Sequence, residues 1–233
     1  MKKIGIIGGL GPESTVLYYR EILKQYQAID NRNTPVILIH SINKSEFFRC
    51  QEQEEHAFQL SMLQKALDSL TNAGADVIVI AANTPHMFFN DLSKHSKVPM
   101  ISIVEETARE THALSAIKKA GLLGTGYTME GDFYPETFRK YGLEVVVPER
   151  DDRNTINQII YAELVNGTVY EHSRNKLHKI IDSMAAREGI DTLILGCTEL
   201  PLILEGEHHG IILLDTIKIH VRAIVDFCTG KTA

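Results

Sequence analysis

The chain has 233 residues, of which 44% are apolar and 23% charged, a globular mix at a length that allows one to two domains and excludes disorder, collagen and coiled coil. Twenty-four Lys and Arg against 30 Asp and Glu leave a net charge of −6, without the basic stripe that a nucleic acid or an anionic membrane partner needs. The three cysteines, Cys50, Cys197 and Cys228, are odd in number and far apart, so they form no disulfide framework and fit a reducing cytoplasm.

The apolar run from Ile4 is broken by Gly5, Gly8 and Gly9 and ends at Gly11-Pro12-Glu13. It predicts a buried strand entering a turn rather than a signal peptide, and no apolar run reaches the roughly 18 residues of a membrane span. Short β-branched runs predict strands over 3–8, 36–40, 76–81, 100–103, 120–124, 144–147, 192–196 and 211–214. Segments of helical period lie over 13–27, 52–71, 104–116, 155–165 and 170–187. The alternation is that of βα units around parallel sheets, an α/β fold. Cys50 falls in a predicted loop and Cys228 late in a final amphipathic helix.

The second half repeats the first. Gly8 ends one strand and Ala82 ends another 74 residues later; Gly124 and Cys197 do the same 73 residues apart, and the halves are offset by 116 and 115 residues. This spacing predicts an internal duplication, with a first domain at 1–105 plus 213–233, closed by the C-terminal helix, and a second at 106–212. Ligands of parallel sheets sit beyond the carboxyl ends of the strands, so the loops 8–11, 82–84, 124–128 and 197–199 are the candidate site. If two similar domains face each other across a pseudo-twofold axis, positions 82 and 197 approach one ligand from opposite sides, a geometry suited to chemistry at a planar carbon.

Each loop has a plain reading and a functional one. Gly8-Gly9-Leu10-Gly11-Pro12 lacks the Gly-x-Gly-x-x-Gly spacing, and His40-Ser41 offers no acid to hold a ribose, which argues against a dinucleotide. It fits a tight turn into a helix begun by proline, whose N–H groups would also suit a carboxylate. Asn83 or Thr84 would cap the helix begun by Pro85, or hydrogen-bond a polar substrate; His86 alone reads as a buried, satisfied histidine. Cys197 could be a small core residue, or a thiol whose pKa a following helix start depresses; the duplicated spacing favours the second. Ten histidines include no His-x-x-x-His pair, and no Cys-x-x-Cys, catalytic serine or phosphate-loop motif occurs. Neither a metal nor a cofactor is expected.

Taken together, Ile4-Gly-Ile-Ile-Gly-Gly-Leu-Gly-Pro12, Ala82-Asn-Thr-Pro-His86, Leu123-Gly-Thr-Gly-Tyr-Thr-Met129 and Gly196-Cys-Thr-Glu-Leu-Pro201 resemble the aspartate/glutamate racemase family, in order and across essentially the whole chain. The resemblance implies two flavodoxin-like α/β domains related by pseudo-twofold symmetry, a site in the cleft between them, a homodimer, and racemisation without pyridoxal phosphate or metal. One thiol removes the α-proton of an amino acid, or a related dicarboxylic acid, and a second returns one on the opposite face. Cys197 matches the second thiol, with Thr198 and Glu199 beside it. Asn83 and Thr84 match the loop that binds the substrate amino and carboxylate groups, and Thr125 the corresponding hydroxyl. Leu10 falls in the glycine loop that closes over the substrate, and Gln51 resembles a substrate-contacting glutamine. The position of the first thiol is Ala82 here, and Glu163-Leu164-Val165 stands where aspartate-specific relatives carry a lysine. The expectation is a racemase-type enzyme with one thiol. The alternatives are a single-cysteine decarboxylase-like enzyme and a binding protein that has lost turnover.

Overall fold

Each of the eight apolar runs forms a strand. The computed structural model describes residues 2–114 and 118–231, and the chain divides into one unit of Met1–Ile103 with His220–Ala233 and another of Val104–Ile219.

The first unit runs β1 (Ile4–Gly8), α1 (Pro12–Gln27), β2 (Ile37–Ser41), α2 (Lys44–Glu52), α3 (His56–Asn72), β3 (Val77–Ile80), α4 (Phe89–His95) and β4 (Met100–Ile101). Its parallel sheet has the order β2-β1-β3-β4, with Ile4 opposite Ile37 on one side and Val77 on the other. Both central strands are buried at every position, as an inner strand covered on both faces must be, which explains their unbroken apolar sequence. Leu63, Ala66, Leu67 and Leu70 of α3 close the core against Ile7, Ile78, Ile80 and Leu92. Proline begins α1, where its missing N–H costs nothing.

Cys50 lies in a helix, not in the loop expected for it. The Asn43 side chain accepts the Ser45 and Glu46 N–H groups and starts α2, which turns only Phe47, Cys50 and Gln51 inward. Three buried positions in nine residues give too short a pattern to read from sequence. The helix expected over 52–71 is in fact the end of α2 and the whole of α3, separated where Glu54 adopts a left-handed φ of 58°.

Next come α5 (Ile103–Leu114), β5 (Lys119–Leu123), α6 (Gly126–Glu130), α7 (Phe133–Arg139), β6 (Glu144–Val146), α8 (Arg150–Ala162), α9 (Glu171–Glu188), β7 (Thr192–Leu195), β8 (Glu207–His208), β9 (Ile211–Asp215) and α10 (Thr216–Thr229). The last two positions of the helix expected over 104–116 lie outside the described residues. The second sheet has the order β6-β5-β7-β9-β8, parallel except for β8. Leu177, Ile180, Ile181 and Met184 of α9 and Ile156, Ile159 and Ile160 of α8 pack with Leu193 and Leu195 of β7.

The chain leaves the second unit after Ile219, later than the boundary expected after residue 212. The reason is β9, which pairs with β7 along Thr192–Leu195 and so belongs to the second sheet; α10 begins in the second unit and carries the chain into the first. The orders β2-β1-β3-β4 and β6-β5-β7-β9 match strand for strand. In each, the chain passes from an inner strand to one side and then to the other, so the loops after β1 and β3, and those after β5 and β7, flank a topological switch point where open α/β sheets bind ligands. Among the described residues no helix is long and apolar enough to cross a membrane.

Candidate active site

In the second unit β5 and β7 end close together, where glycine leaves the room that a Cβ would take up. A Cβ on Gly196 would lie 2.7 Å from Leu122 and 3.0 Å from the Leu123 carbonyl oxygen, and one on Gly124 would lie 3.1 Å from the Gly196 oxygen. The Gly196 N–H donates to Leu123 O at 2.7 Å. This clasp fixes the backbone just before Cys197, which is 7% exposed. The Cys197 thiol donates to Glu199 Oε2 at 3.0 Å, and the Thr198 hydroxyl donates to the same oxygen at 2.7 Å.

The thiol is not activated in the way the sequence suggested. Burial pushes its pKa well above the ordinary range, and the Glu199 carboxylate adds to the rise by charge and hydrogen bond; the N–H groups of Glu199 and Thr198 pull the other way and are outweighed. The expected helix is a single 3₁₀ turn, Leu200–Leu202, too short to supply a helix dipole. The resting group is a protonated thiol with a carboxylate as its acceptor. Cys50 and Cys228 are also buried, and burial raises both thiols, Cys228 to about 11.

Thr125 caps α6: its hydroxyl accepts the Thr128 N–H at 3.3 Å and lies 3.1 Å from the Thr128 hydroxyl. Asn157, from α8, accepts the Gly126 N–H at 2.8 Å and so ties the loop down. Thr128 and Asn157 escaped the sequence reading because they are placed by tertiary contact, with only the i+3 spacing of Thr125 and Thr128 as a signal.

In the first unit Gly9 has a left-handed φ of 88°, and its N–H donates to the Thr15 hydroxyl at 2.9 Å. Leu10 packs into the core at 8% exposure, so only its backbone remains to border a ligand. Gln51 is buried in α2, its side-chain oxygen accepting from Gln59 of α3 at 3.5 Å. Ala82 and Asn83 are buried beyond β3 and Thr84 is half-buried; Thr84 begins a 3₁₀ turn, Thr84–Phe88.

His86 locks this loop. One ring nitrogen, Nδ1, donates to the Ala82 carbonyl at 2.8 Å, and Nε2 accepts the Ile103 N–H at 3.2 Å, the only tautomer that serves both. Burial lowers its pKa to about 4. Beside it, His220 accepts the Tyr18 hydroxyl at Nδ1, 2.7 Å away, and donates from Nε2 to Ile101 O at 3.0 Å; burial and the neighbouring His86 lower it to about 3. Both imidazoles are neutral with both nitrogens engaged, which removes His86 as a proton donor for a substrate and gives it the satisfied core role.

A family model described as Asp/Glu/Hydantoin racemase matches residues 7–224, a span that takes in all four loops. The chain belongs to that family. The broad specificity amino-acid racemase RacX of Bacillus subtilis is 26% identical over 226 residues, covering 95% of this chain and 96% of RacX. An aspartate racemase homologue from Pyrococcus horikoshii is 38% identical, with a TM-score of 0.84, over 98% of this chain and 100% of that one. The Picrophilus torridus aspartate racemase shares the fold at 24% identity and a TM-score of 0.77, over 99% of this chain and 95% of that one. The two parallel-dominated sheets are thus those of the two-domain racemase fold. Among the described residues of this racemase-family chain, one group could hold a metal ion, Asp182 with His208 and His209; it belongs to none of the four loops.

Proposed function

We propose that this chain carries out racemase-type proton transfer at the α-carbon of an amino acid or a related dicarboxylic acid, with Cys197 as the acid/base group and with neither a metal nor pyridoxal phosphate in the chemical step. One observation carries the reading: the Cys197 thiol is hydrogen-bonded to Glu199 Oε2 at 3.0 Å, immediately beyond an inner strand. Glu199 takes the thiol proton, and the thiolate removes the α-hydrogen from its face of the substrate. The carbanion is left planar, its charge spread into the carboxylate. Transfer back from Cys197 restores the starting enantiomer; once Glu199 has lost its proton to water, it can take the substrate-derived proton from the sulfur, and a proton from solvent returning to the sulfur then puts solvent hydrogen into the product. Asn83, Thr84 and Thr125 supply donors for the substrate carboxylate, of the kind worth roughly 2.7 to 4 kcal/mol each in a transition state, while the Thr198 hydroxyl holds Glu199 Oε2 beside the thiol. The backbone at Leu10 and the amide of Gln51 complete the substrate shell in this reading.

Inversion needs a donor for the other face. Ala82 holds the position that matches Cys197, and a methyl group carries no exchangeable proton; with His86 engaged at both nitrogens, water and the Thr84 hydroxyl are the donors that remain. The protein therefore exchanges α-hydrogen faster than it interconverts enantiomers. A second reading is favoured by the protonated resting thiol: Cys197 protonates a carbanion formed by decarboxylation. The working form is a cytoplasmic homodimer in both readings. The test incubates the protein in D₂O with L- and D-amino acids and an arylmalonate, following α-deuterium, chirality and carbon dioxide. Deuterium without inversion supports the first reading and carbon dioxide release the second. Neither, with a dicarboxylate still bound, leaves a binding protein.

A further inference from the structure

The amino end of the second sheet carries a cluster that no motif announces. Since β7 and β9 are parallel and pair from Thr192 with Ile212 to Leu195 with Asp215, the turn between β8 and β9 lies at the opposite end of the sheet from Cys197. That turn holds His209 and Gly210 at φ 49° and 86°, the paired left-handed conformation of a tight hairpin. It brings His209, beside His208, over α9. On the helix, His178 and Asp182 are four residues apart and share a face.

The contacts converge on a single atom. His208 Nε2 and His209 Nδ1 lie 2.9 and 3.1 Å from Asp182 Oδ1, and one ligand atom from each of the three residues fits within 4.8 Å of the others. The rings of His178 and His208 stack at 4.1 Å and 19°, and those of His208 and His209 are 4.1 Å apart. The His208 side chain is only 10% exposed, while those of Asp182 and His209, at 46% and 74%, leave an entry path. Arg174, one turn before His178, is engaged by Glu171 and by the Ile203 carbonyl.

We infer that Asp182, His208 and His209 form a binding site for a zinc-like divalent transition-metal ion, clamping the β8–β9 hairpin to α9. Two imidazoles and a carboxylate are the donor set such ions prefer, and one that magnesium and calcium do not. Bound at about 2.0 to 2.2 Å, tetrahedral ligands stand roughly 3.3 to 3.6 Å apart; the two separations from Asp182 Oδ1, 2.9 and 3.1 Å, are close to that, and the third lies within 4.8 Å. Each ring proton now directed at Asp182 shifts to the other nitrogen of its imidazole, and the freed lone pair takes the metal. Water fills the remaining position, and His178 walls the site. The ion has no part in the chemistry at Cys197, at the other end of the sheet.

The test titrates the untagged, chelator-stripped protein with zinc chloride in a calorimeter, with magnesium chloride as control and thermal unfolding in parallel. One zinc per chain is expected, with a raised melting temperature and no response to magnesium. Asp182→Asn and His209→Ala, both at exposed positions, each weaken zinc binding about tenfold or more, the scale that even outer partners of a metal site command. Cys197→Ala binds zinc as the wild type does. The inference is overturned if stripped protein takes up no zinc, if the Asp182 and His209 variants bind it with less than that loss, or if Cys197→Ala abolishes binding.

Discussion

After β3 the chain reads Ala82-Asn83-Thr84-Pro85-His86, and after β7 it reads Cys197-Thr198-Glu199-Leu200-Pro201. Both stretches leave an inner strand of the same rank, and both enter a 3₁₀ turn with proline in its first positions. In the second, the polar groups face each other as donor and acceptor, thiol and hydroxyl both pointing to one carboxylate oxygen. In the first, the titratable group bonds only to backbone, and its charge is suppressed. The same strand–loop unit thus places a thiol against a carboxylate in one copy and anchors a histidine to the backbone in the other. What separates them is whether a carboxylate or a peptide group receives the proton.

The contrast breaks most completely at Cys197. Cys197→Ala should reduce α-hydrogen exchange by the factor of roughly 10² to 10⁴ that a positioned acid/base group supplies, read by proton NMR in D₂O; undiminished exchange would place the chemistry elsewhere. The reverse change sharpens it. Ala82→Cys should raise enantiomer interconversion by about one to three orders of magnitude, roughly 1.4 kcal/mol of barrier for each tenfold, without a matching rise in exchange. Because Ala82 is only 7% exposed, the added sulfur should cost about 1 to 3 kcal/mol of stability, which a denaturant melt would record.

A third test separates the loops by pH. With folded pKa values lowered to about 4 for His86 and about 3 for His220, and about 6.5 in an unfolded chain, both histidines favour the folded state fully above pH 6.5. They lose that contribution as the pH falls from 6.5 toward the folded values. Between pH 7 and pH 5 the loss is about 2 kcal/mol per histidine, and a His86→Asn variant should show a shallower fall in urea midpoint. An unchanged slope would mean that His86 is protonated while folded.

The smallest effect concerns Glu199. Since its carboxylate is one of the causes raising the Cys197 thiol, Glu199→Gln should move the pH midpoint of Cys197 alkylation downward while leaving that of Cys228 in place. Coincident profiles for wild type and variant would remove Glu199 as the partner of the thiol.

Much of this was legible in the sequence because inner parallel strands are buried on both faces and advertise themselves as apolar runs, and because the duplication fixed which loops match. Local spacing was silent where tertiary contact decides. The pattern around Cys50 is too short to reveal α2, and two-residue β8 has no period at all. Where the chain returns is not legible, because 211–215 reads equally well as a strand of either sheet and only its pairing with β7 assigns it to the second. Cys197 was legible as a position but not as an acid: its protonation depends on burial and on the rotamer of Glu199. The histidines at 208 and 209 became a site only through a turn that folds them over Asp182.

The passage of α10 from the second unit into the first bears on how the protein is made. Val104–Ile219 lies wholly before His220 in the chain, so the residues that complete the first unit are made after the whole of the second. Until they arrive, the bonds from the Tyr18 hydroxyl to His220 Nδ1 and from His220 Nε2 to Ile101 O cannot form. Buried hydrogen bonds left unmade are expensive, so the half that is synthesised first is completed last. A nascent chain released short of residue 220 would carry a finished second unit and an unfinished first, and cleavage by a protease should fall in the N-terminal hundred residues.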